Sequence, residues 1–305
     1  MKSTDVVVAG DLYVDLILSG FDSWLEPGRE TFAREFAKDA GGGAAITGCG
    51  LAKLSSRVEA FGVAGASDSE WLLARLRECG VDTGAVQLHP FEPTAFTVVA
   101  STATERGFLT YPGANRALPE AVLRAARQQA FAHARHVHLA YPVALESAQE
   151  LVDSLHRCDC SVSLDVGWHP KWMADARALE LLRRVDLFFP NEVEGLRLTG
   201  TSDASHALEC FAQLGLRKVA LKLGAKGAAL LWDGQVFEGA PPRVTPVDVT
   251  GAGDAFNAGF LYAWLGGHSP EQCLAAGNLC GALSTEAYGG IAGLPGAERF
   301  REYWP

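Results

Sequence analysis

The 305-residue chain reads as an α/β protein, a mainly parallel sheet covered by helices with a small β-lid added. Three observations predict this. Short β-rich runs that end in small or polar residues alternate with amphipathic segments. A hydrophobic content of 48% with 20% charged residues supplies enough apolar surface for a sizeable core. Two stretches, 19–38 and 91–111, break the alternation and read as strands and turns of their own.

In order along the chain, residues 6–9 lead into Gly10-Asp11, 136–139 into Ala140-Tyr141-Pro142, 162–164 into Asp165, and 187–189 into Pro190-Asn191. Each is a β-then-α junction of the kind that builds a parallel sheet. Helices are predicted over 70–79, with Leu72, Leu73 and Leu76 inward, and over 119–130, 145–156, 178–184, 204–214 and 270–287. Ser269 caps the last of these, with Pro270 at its first position and Gln272 completing a capping box. In the two irregular stretches, 96–99 and 108–111 look like lid strands. No linker, repeat or charge block divides the chain, so one domain spanning 1–305 is expected, with a lid built from about 13–40 and 91–113.

Charge narrows the partners. The 26 Lys+Arg residues stand against 36 Asp+Glu, a net −10 that opposes the field a nucleic acid or an anionic membrane requires. The seven cysteines are scattered, and Cys158-Asp159-Cys160 lacks metal-site spacing, so reduced, mostly buried thiols are expected. The first residues lack a signal-type apolar core. The longest run without Asp, Glu, Lys or Arg, 255–270, has sixteen residues and contains Asn257 and Gly266-Gly267. A soluble, cytoplasmic protein follows as the expectation.

The segment richest in chemistry is Gly251-Ala252-Gly253-Asp254, which opens a helix. Small residues there let phosphate oxygens approach backbone N–H groups at the positive end of the helix dipole. Asp254 would sit beside the transferring phosphoryl group and accept a proton from an attacking hydroxyl. The tetrapeptide alone equally suits a plain glycine-rich turn, and context decides. Gly41-Gly42-Gly43-Ala44-Ala45 opens an apolar helix some thirty residues after a first strand that runs into Gly10-Asp11-Leu12-Tyr13-Val14-Asp15. Asn191-Glu192-Val193-Glu194 follows a buried strand, and Leu221-Lys222-Leu223-Gly224-Ala225-Lys226-Gly227 links two more.

In order and spacing these four elements resemble the PfkB (ribokinase-like) family of ATP-dependent carbohydrate and nucleoside kinases, from Gly10 to Pro295. The resemblance implies a three-layer sandwich. It implies that Asp254 is the catalytic base and that the amides of Gly251, Ala252 and Gly253 form an anion hole. It places Asn191 and Glu194 near Mg²⁺ and phosphate, Glu194 through water, where the residues alone read as a helix cap. Lys222, Gly224, Gly227 and Thr250 fall beside the nucleotide phosphates, and Asn278 near the adenosine. Asp248, Thr250, Ser284, Ala287 and Gly289 align with loops that hold a monovalent cation, K⁺, in many members. On the acceptor side, Asp15 matches a carboxylate that binds a sugar diol, with Tyr13, Gly41, Gly42, Gly43, Arg106 and Asn115 around the substrate. ATP and Mg²⁺ are the implied cofactors and a small sugar or nucleoside the implied partner.

Departures from the family pattern limit the substrate. Ile46 stands where the family's glycine-rich segment usually carries a sugar-binding Asn, Tyr13 where ribokinases carry Asn, and Ala140 near their substrate Glu. Trp71 replaces a usual Gly. A site that loses polar groups loses selectivity for hydroxyls, so two enzyme readings stand: a sugar or sugar-acid kinase, or a nucleoside kinase whose base stacks on Tyr13 or Trp71. Trp24, Phe91, Phe96 and Tyr111 read as packing for the lid or for a homodimer seam between lids. A sugar sensor without turnover is the rival outside enzymes, and the intact Gly251–Asp254 and Asn191/Glu194 segments argue against it. A nicotinamide enzyme would need G-x-G-x-x-G after the first strand, where Gly10-Asp11-Leu12-Tyr13 stands.

Overall fold

The computed structural model describes residues 2–304 apart from 22, 25, 103–105 and the side chain of Arg106. Its strands are β1 (Thr4–Gly10), β2 (Tyr13–Ser19), β3 (Glu35–Gly41), β4 (Val58–Phe61), β5 (Val63–Gly65), β6 (Gln87–His89), β7 (Phe96–Ser101), β8 (Arg106–Tyr111), β9 (Ala134–Ala140), β10 (Ser161–Asp165), β11 (Leu187–Phe188), β12 (Lys218–Lys222), β13 (Ala228–Trp232) and β14 (Gln235–Gly239). The helices are α1 (Gly43–Lys53), α2 (Glu70–Glu78), α3 (Leu118–Arg127), α4 (Ala148–Arg157), α5 (Pro170–Met173), α6 (Arg177–Leu182), α7 (Glu192–Thr199), α8 (Ala204–Gln213), α9 (Ala252–Leu265), α10 (Pro270–Ser284) and α11 (Ala297–Tyr303).

Eight strands form one sheet in the order β14-β13-β12-β11-β10-β9-β1-β4. From β4 to β12 every pairing is parallel, and the β13–β14 hairpin closes one edge antiparallel. Strands buried on both faces carry apolar residues at successive positions, and β1 does so: Val7 and Ala9 enter one core while Val6 and Val8 enter the other. The first core packs the sheet against α3 to α8, and the second against α1, α2, α9, α10 and α11. The result is the three-layer sandwich.

Observed ends shift where local chemistry stops a helix. The segment expected over 119–130 ends at Arg127, because Gln129 turns left-handed at φ 57°. The one expected to reach 287 ends at Ser284, and the Thr285 carbonyl accepts from the amides of Val247 and Asp248 instead. The Ser269–Gln272 capping box is present at the start of α10.

The two stretches outside the alternation pair with each other. They form a four-stranded sheet in the order β3-β2-β7-β8, with β2 parallel to β7 and the other pairs antiparallel. Register sets Asp15 opposite Asp39 and Thr97, and Thr97 opposite Thr110, so these face the body together. The Phe96 and Tyr111 rings stack at 5.7 Å, Trp24 lies over Gly107, and Phe91 is 91% exposed. Among the described residues no helix is long and apolar enough to cross a membrane. All seven cysteines are free, five of them buried.

Candidate active site

Gly251 holds φ 72°, a left-handed turn that glycine adopts without strain, and it caps α9 with no side-chain bond. The first amides of α9 therefore have no partner within the helix and point outward with the dipole's positive end. A Cβ at Gly251 would lie 2.7 Å from Ile46 Cδ1, so Ile46 is an apolar seat for this turn. That accounts for its place where a polar residue was expected.

Beside the turn lies a charged cluster. Lys222, at the end of β12, extends its ammonium past Gly253, where a Cβ would lie 3.3 Å from Nζ. Nζ pairs with Asp165 Oδ2 at 2.6 Å and donates to Asn257 Oδ1 at 3.4 Å, and Asn257 Nδ2 donates to Asp165 Oδ2 at 2.7 Å. Burial pushes Asp165 up, but Lys222 and Asn257 outweigh it and hold the carboxyl below its ordinary range. Burial likewise pulls Lys222 down, and Asp165, Glu194 and Asp254 more than restore it, so it stays an ammonium. Asp254 is pushed up to about 7, first by burial and then by Asp165, with Lys222 acting in the opposite sense.

Two cavities meet at this cluster. One, of about 590 Å³, is lined by Lys222, Gly224, Gly227, Ala252, Gly253 and Asn278, with an apolar wall that includes Pro241, Pro242, Val244 and Val249. The other, of about 420 Å³, is lined by Asp11, Tyr13, Gly43, Thr97, Thr110, Ala140, Tyr141, Asp165, His169 and Asp254. Gly253–Asp254 and Lys222–Asp165 form their common wall.

The remaining residues singled out in the sequence fall around these cavities. Gly42 takes φ 91°, and a Cβ there would overlap the Asp11 carbonyl. Gly41 lies flush against the Asp15 carboxyl, and Gly43 faces Asp254 Oδ1. Asp15 is buried beside Gly41 and outside the walls of the smaller cavity, its carboxyl pushed up to about 7 by burial and then by Asp39 and Asp248. Asn115 accepts from the Leu12 amide and donates to the Leu12 carbonyl, so it clamps the turn that delivers Tyr13. Arg106 pairs through its backbone with Ser101, and its side chain lies outside the described residues. Trp71 packs under Lys38 Nζ at 3.9 Å and against the core, away from the cavity walls, which leaves Tyr13 as the aromatic of the expected pair at the site.

On the other side, Asn191 and Glu194 form a reciprocal capping box on α7, Asn191 Oδ1 accepting from Glu194 N at 2.9 Å and Glu194 Oε2 from Asn191 N at 2.8 Å. Glu194 is buried, and burial and then Asp165 push its carboxyl up while Lys222 acts in the opposite sense. Lys226 is exposed beside Glu192 at 3.5 Å, and Asn278 Nδ2 donates to the Gly239 carbonyl. Asp248 ties two loops together, accepting from the Thr250 amide and hydroxyl through Oδ1 and from Gly289 N through Oδ2. Ser284 donates to Gly281 O. Among the described residues no three His, Cys, Asp or Glu side chains form a metal-binding group. Sequence reasoning missed Asp11, Asp165, Asn257, Tyr141 and His169. The signal available for Asp11 and Asp165 was their place at or just after a parallel strand's C-terminal end, where ligands collect in such sheets.

The two adjoining cavities share the start of α9 and the Lys222–Asp165 pair, beside the smaller four-stranded sheet. Residues 3–297 match the pfkB family carbohydrate kinase profile, and the chain belongs to that family. An uncharacterized sugar kinase of Archaeoglobus fulgidus is 31% identical over 253 residues, 81% of this chain and 98% of its own length. The aminoimidazole riboside kinase of Salmonella typhimurium is 29% identical over 310 residues, 97% and 93% of the two chains. Among solved structures, Arabidopsis thaliana ribokinase complexed with ribose and ATP superposes with a TM-score of 0.83 at 26% identity, covering 99% of this chain and 98% of that one.

Proposed function

We propose that the protein is a single-domain, cytoplasmic kinase that transfers the γ-phosphoryl group of Mg-ATP to a hydroxyl of a small sugar or sugar derivative. The observation that carries this is the common wall: Asp254 lines the smaller cavity while its neighbour Gly253 lines the larger. The larger cleft suits a nucleotide. Its glycines 224, 227 and 253 leave room for phosphates, Lys222 supplies a cation, and its apolar wall beside Asn278 suits a base. Glu194, Asn191 and Thr250 would hold Mg²⁺ and phosphate from the rim, Glu194 through water. When bound there, Mg-ATP supplies the phosphoryl donor.

The chain's own residues do the rest. Asp254 Oδ1 or Oδ2 takes the proton of the acceptor hydroxyl as that oxygen bonds to phosphorus and the bond to the departing ADP oxygen breaks. The amides of Gly251, Ala252 and Gly253 and the Lys222 ammonium stabilise the charge on the transferred group. Tyr13, Gly43 and the lid threonines enclose the acceptor, and Asp15, Gly41, Gly42 and Asn115 shape its rim. A base near 7 is matched to neutral pH, where ionised base and proton affinity are both available. The Tyr13 ring on the cavity wall supports a nucleoside acceptor as a second reading.

Asp248 fixes the two loops whose carbonyls, with Thr250, Ser284, Ala287 and Gly289, would hold K⁺. The lid's outward Phe36 and Leu109, each 64% exposed, support a homodimer through that face. The decisive test is Asp254→Asn. ADP release with the best acceptor is expected to fall by about 10²–10⁴-fold in kcat with ATP affinity retained. Turnover within tenfold of wild type would remove Asp254 as the base.

A further inference from the structure

We propose, building on the kinase reading above, that the acceptor cavity takes uncharged or amino-bearing polyols and turns away acceptors carrying a carboxylate or phosphate, with Asp11 as an acceptor-binding carboxylate. The cavity's charge carries the argument. Asp11, Asp165 and Asp254 all line it, Asp15 adjoins it, and among the described residues neither Lys nor Arg does. Lys222 reaches the same wall from the nucleotide side, where its ammonium is already held by Asp165 at 2.6 Å. His169 is the remaining basic group on the wall, an exposed side chain whose imidazole is held below its ordinary value by partial desolvation.

Asp11 has no other task. It follows β1, and its backbone amide donates to the Ala140 carbonyl at 3.4 Å. Its carboxyl takes no hydrogen bond from the described residues, and the perturbation on it comes from burial alone. Tyr141 also lines the cavity, and its buried hydroxyl has no partner among the described residues. The half-buried Asp11 carboxyl lines the cavity without a donor from the protein, and a ligand that brings hydroxyl or amine donors would supply one. An anionic acceptor would bring a like charge into the same enclosed space, which is the repulsive half of specificity.

The test is ADP release with Mg-ATP at pH 7.5 across ribose, fructose, cytidine, glucosamine, 2-keto-3-deoxygluconate and ribose 5-phosphate. The best neutral or amino-bearing acceptor is expected to exceed either anion by at least about a hundredfold in kcat/KM. An anion within tenfold of it overturns the charge rule. Asp11→Asn is expected to raise the acceptor KM about tenfold or more, to leave the ATP KM in place, and to narrow the neutral-to-anionic ratio. A merely structural Asp11 would leave that ratio unmoved, and an unmoved ratio removes the assignment. If nothing on the panel releases ADP, the kinase reading is what fails, and thermal-shift binding of the same six compounds still decides the charge rule: neutral binding without anion binding keeps it, and anion binding overturns it.

Discussion

Around the acceptor cavity, Asp11, Asp15 and Asp254 are each pushed up to about 7, with burial the leading cause in all three. In the unfolded chain the same groups ionise near 3.8. The folded protein therefore binds more protons than the unfolded one between about pH 4 and 7, and each group makes folding less favourable as pH rises through that window. Asp11→Asn removes one such group. Its melting temperature should match wild type near pH 4 and exceed it by about 2–5 °C at pH 8, since solvent in the cavity limits the relief to about 1–2 kcal/mol. A gap that stays constant with pH would contradict the linkage. Sites that hold unpaired charge for function commonly lose stability in this way. The residue scale is also where the sequence was least complete. Asp254 is legible because glycines precede it at a helix start, whereas a lone Asp at a strand's end, as at 11 or 165, is also what any βα turn looks like. Asp165, Lys222 and Asn257 lie far apart in the chain, and only folding makes them one cluster.

At the scale of elements, α9 sets the site because its start carries Gly253 and Asp254. It is held from both sides: Gly50 of α1 packs on Ala258, and Gly259 packs on the carbonyl of Ala276 in α10. A Cβ at Gly259 would overlap that carbonyl. Gly259→Ala should therefore force α9 and α10 apart, at about 1–3 kcal/mol or more, and shift the helix start with them. The expected readout is a melting temperature lower by at least about 4 °C together with a kcat lowered more than tenfold. Gly296→Ala, with no atom within 4 Å of the added Cβ, is the control: as the N-cap of α11 it should lower the melting temperature by no more than about 2 °C and leave kcat unchanged. Loss of stability with full kcat would mean that the helix start is fixed independently of this contact. Such close approaches are invisible in sequence, where Gly259 reads as an ordinary interior glycine. The capping box at Ser269 and the strand–helix rhythm were legible, since caps and apolar runs are local. The lid was legible only as an exception to the rhythm, and its pairing of β2 with β7, some eighty residues apart, is tertiary information.

For the molecule as a whole, a net charge of −10 has to coexist with a polyphosphate substrate. The arrangement at the common wall resolves this locally. Lys222 is held by Asp165 and Asn257 at the start of α9, and it is the group that lowers the proton affinity of Asp254 while burial, Asp165, Glu194 and Asp15 raise it. In its proposed role as base Asp254 has to be ionised, so kcat/KM should rise with pH along a limb centred near 7. Lys222→Met removes the opposing charge, so the limb should move above 7. At pH 7 the variant should lose about a hundredfold or more in kcat, with part of that loss regained toward pH 9, where Asp254 ionises again. Burying Asp165 without its partner also costs stability, on the order of 3 kcal/mol, which would complicate a reading from Met alone. Lys222→Arg keeps the charge and should keep the limb near 7 even if the guanidinium's different shape lowers kcat. The profiles are measured by ADP release between pH 5.5 and 9.5 on folded protein. A Met variant whose limb overlays wild type would show that Lys222 binds phosphate without setting the base, and would return the tuning of Asp254 to burial and its neighbouring carboxylates.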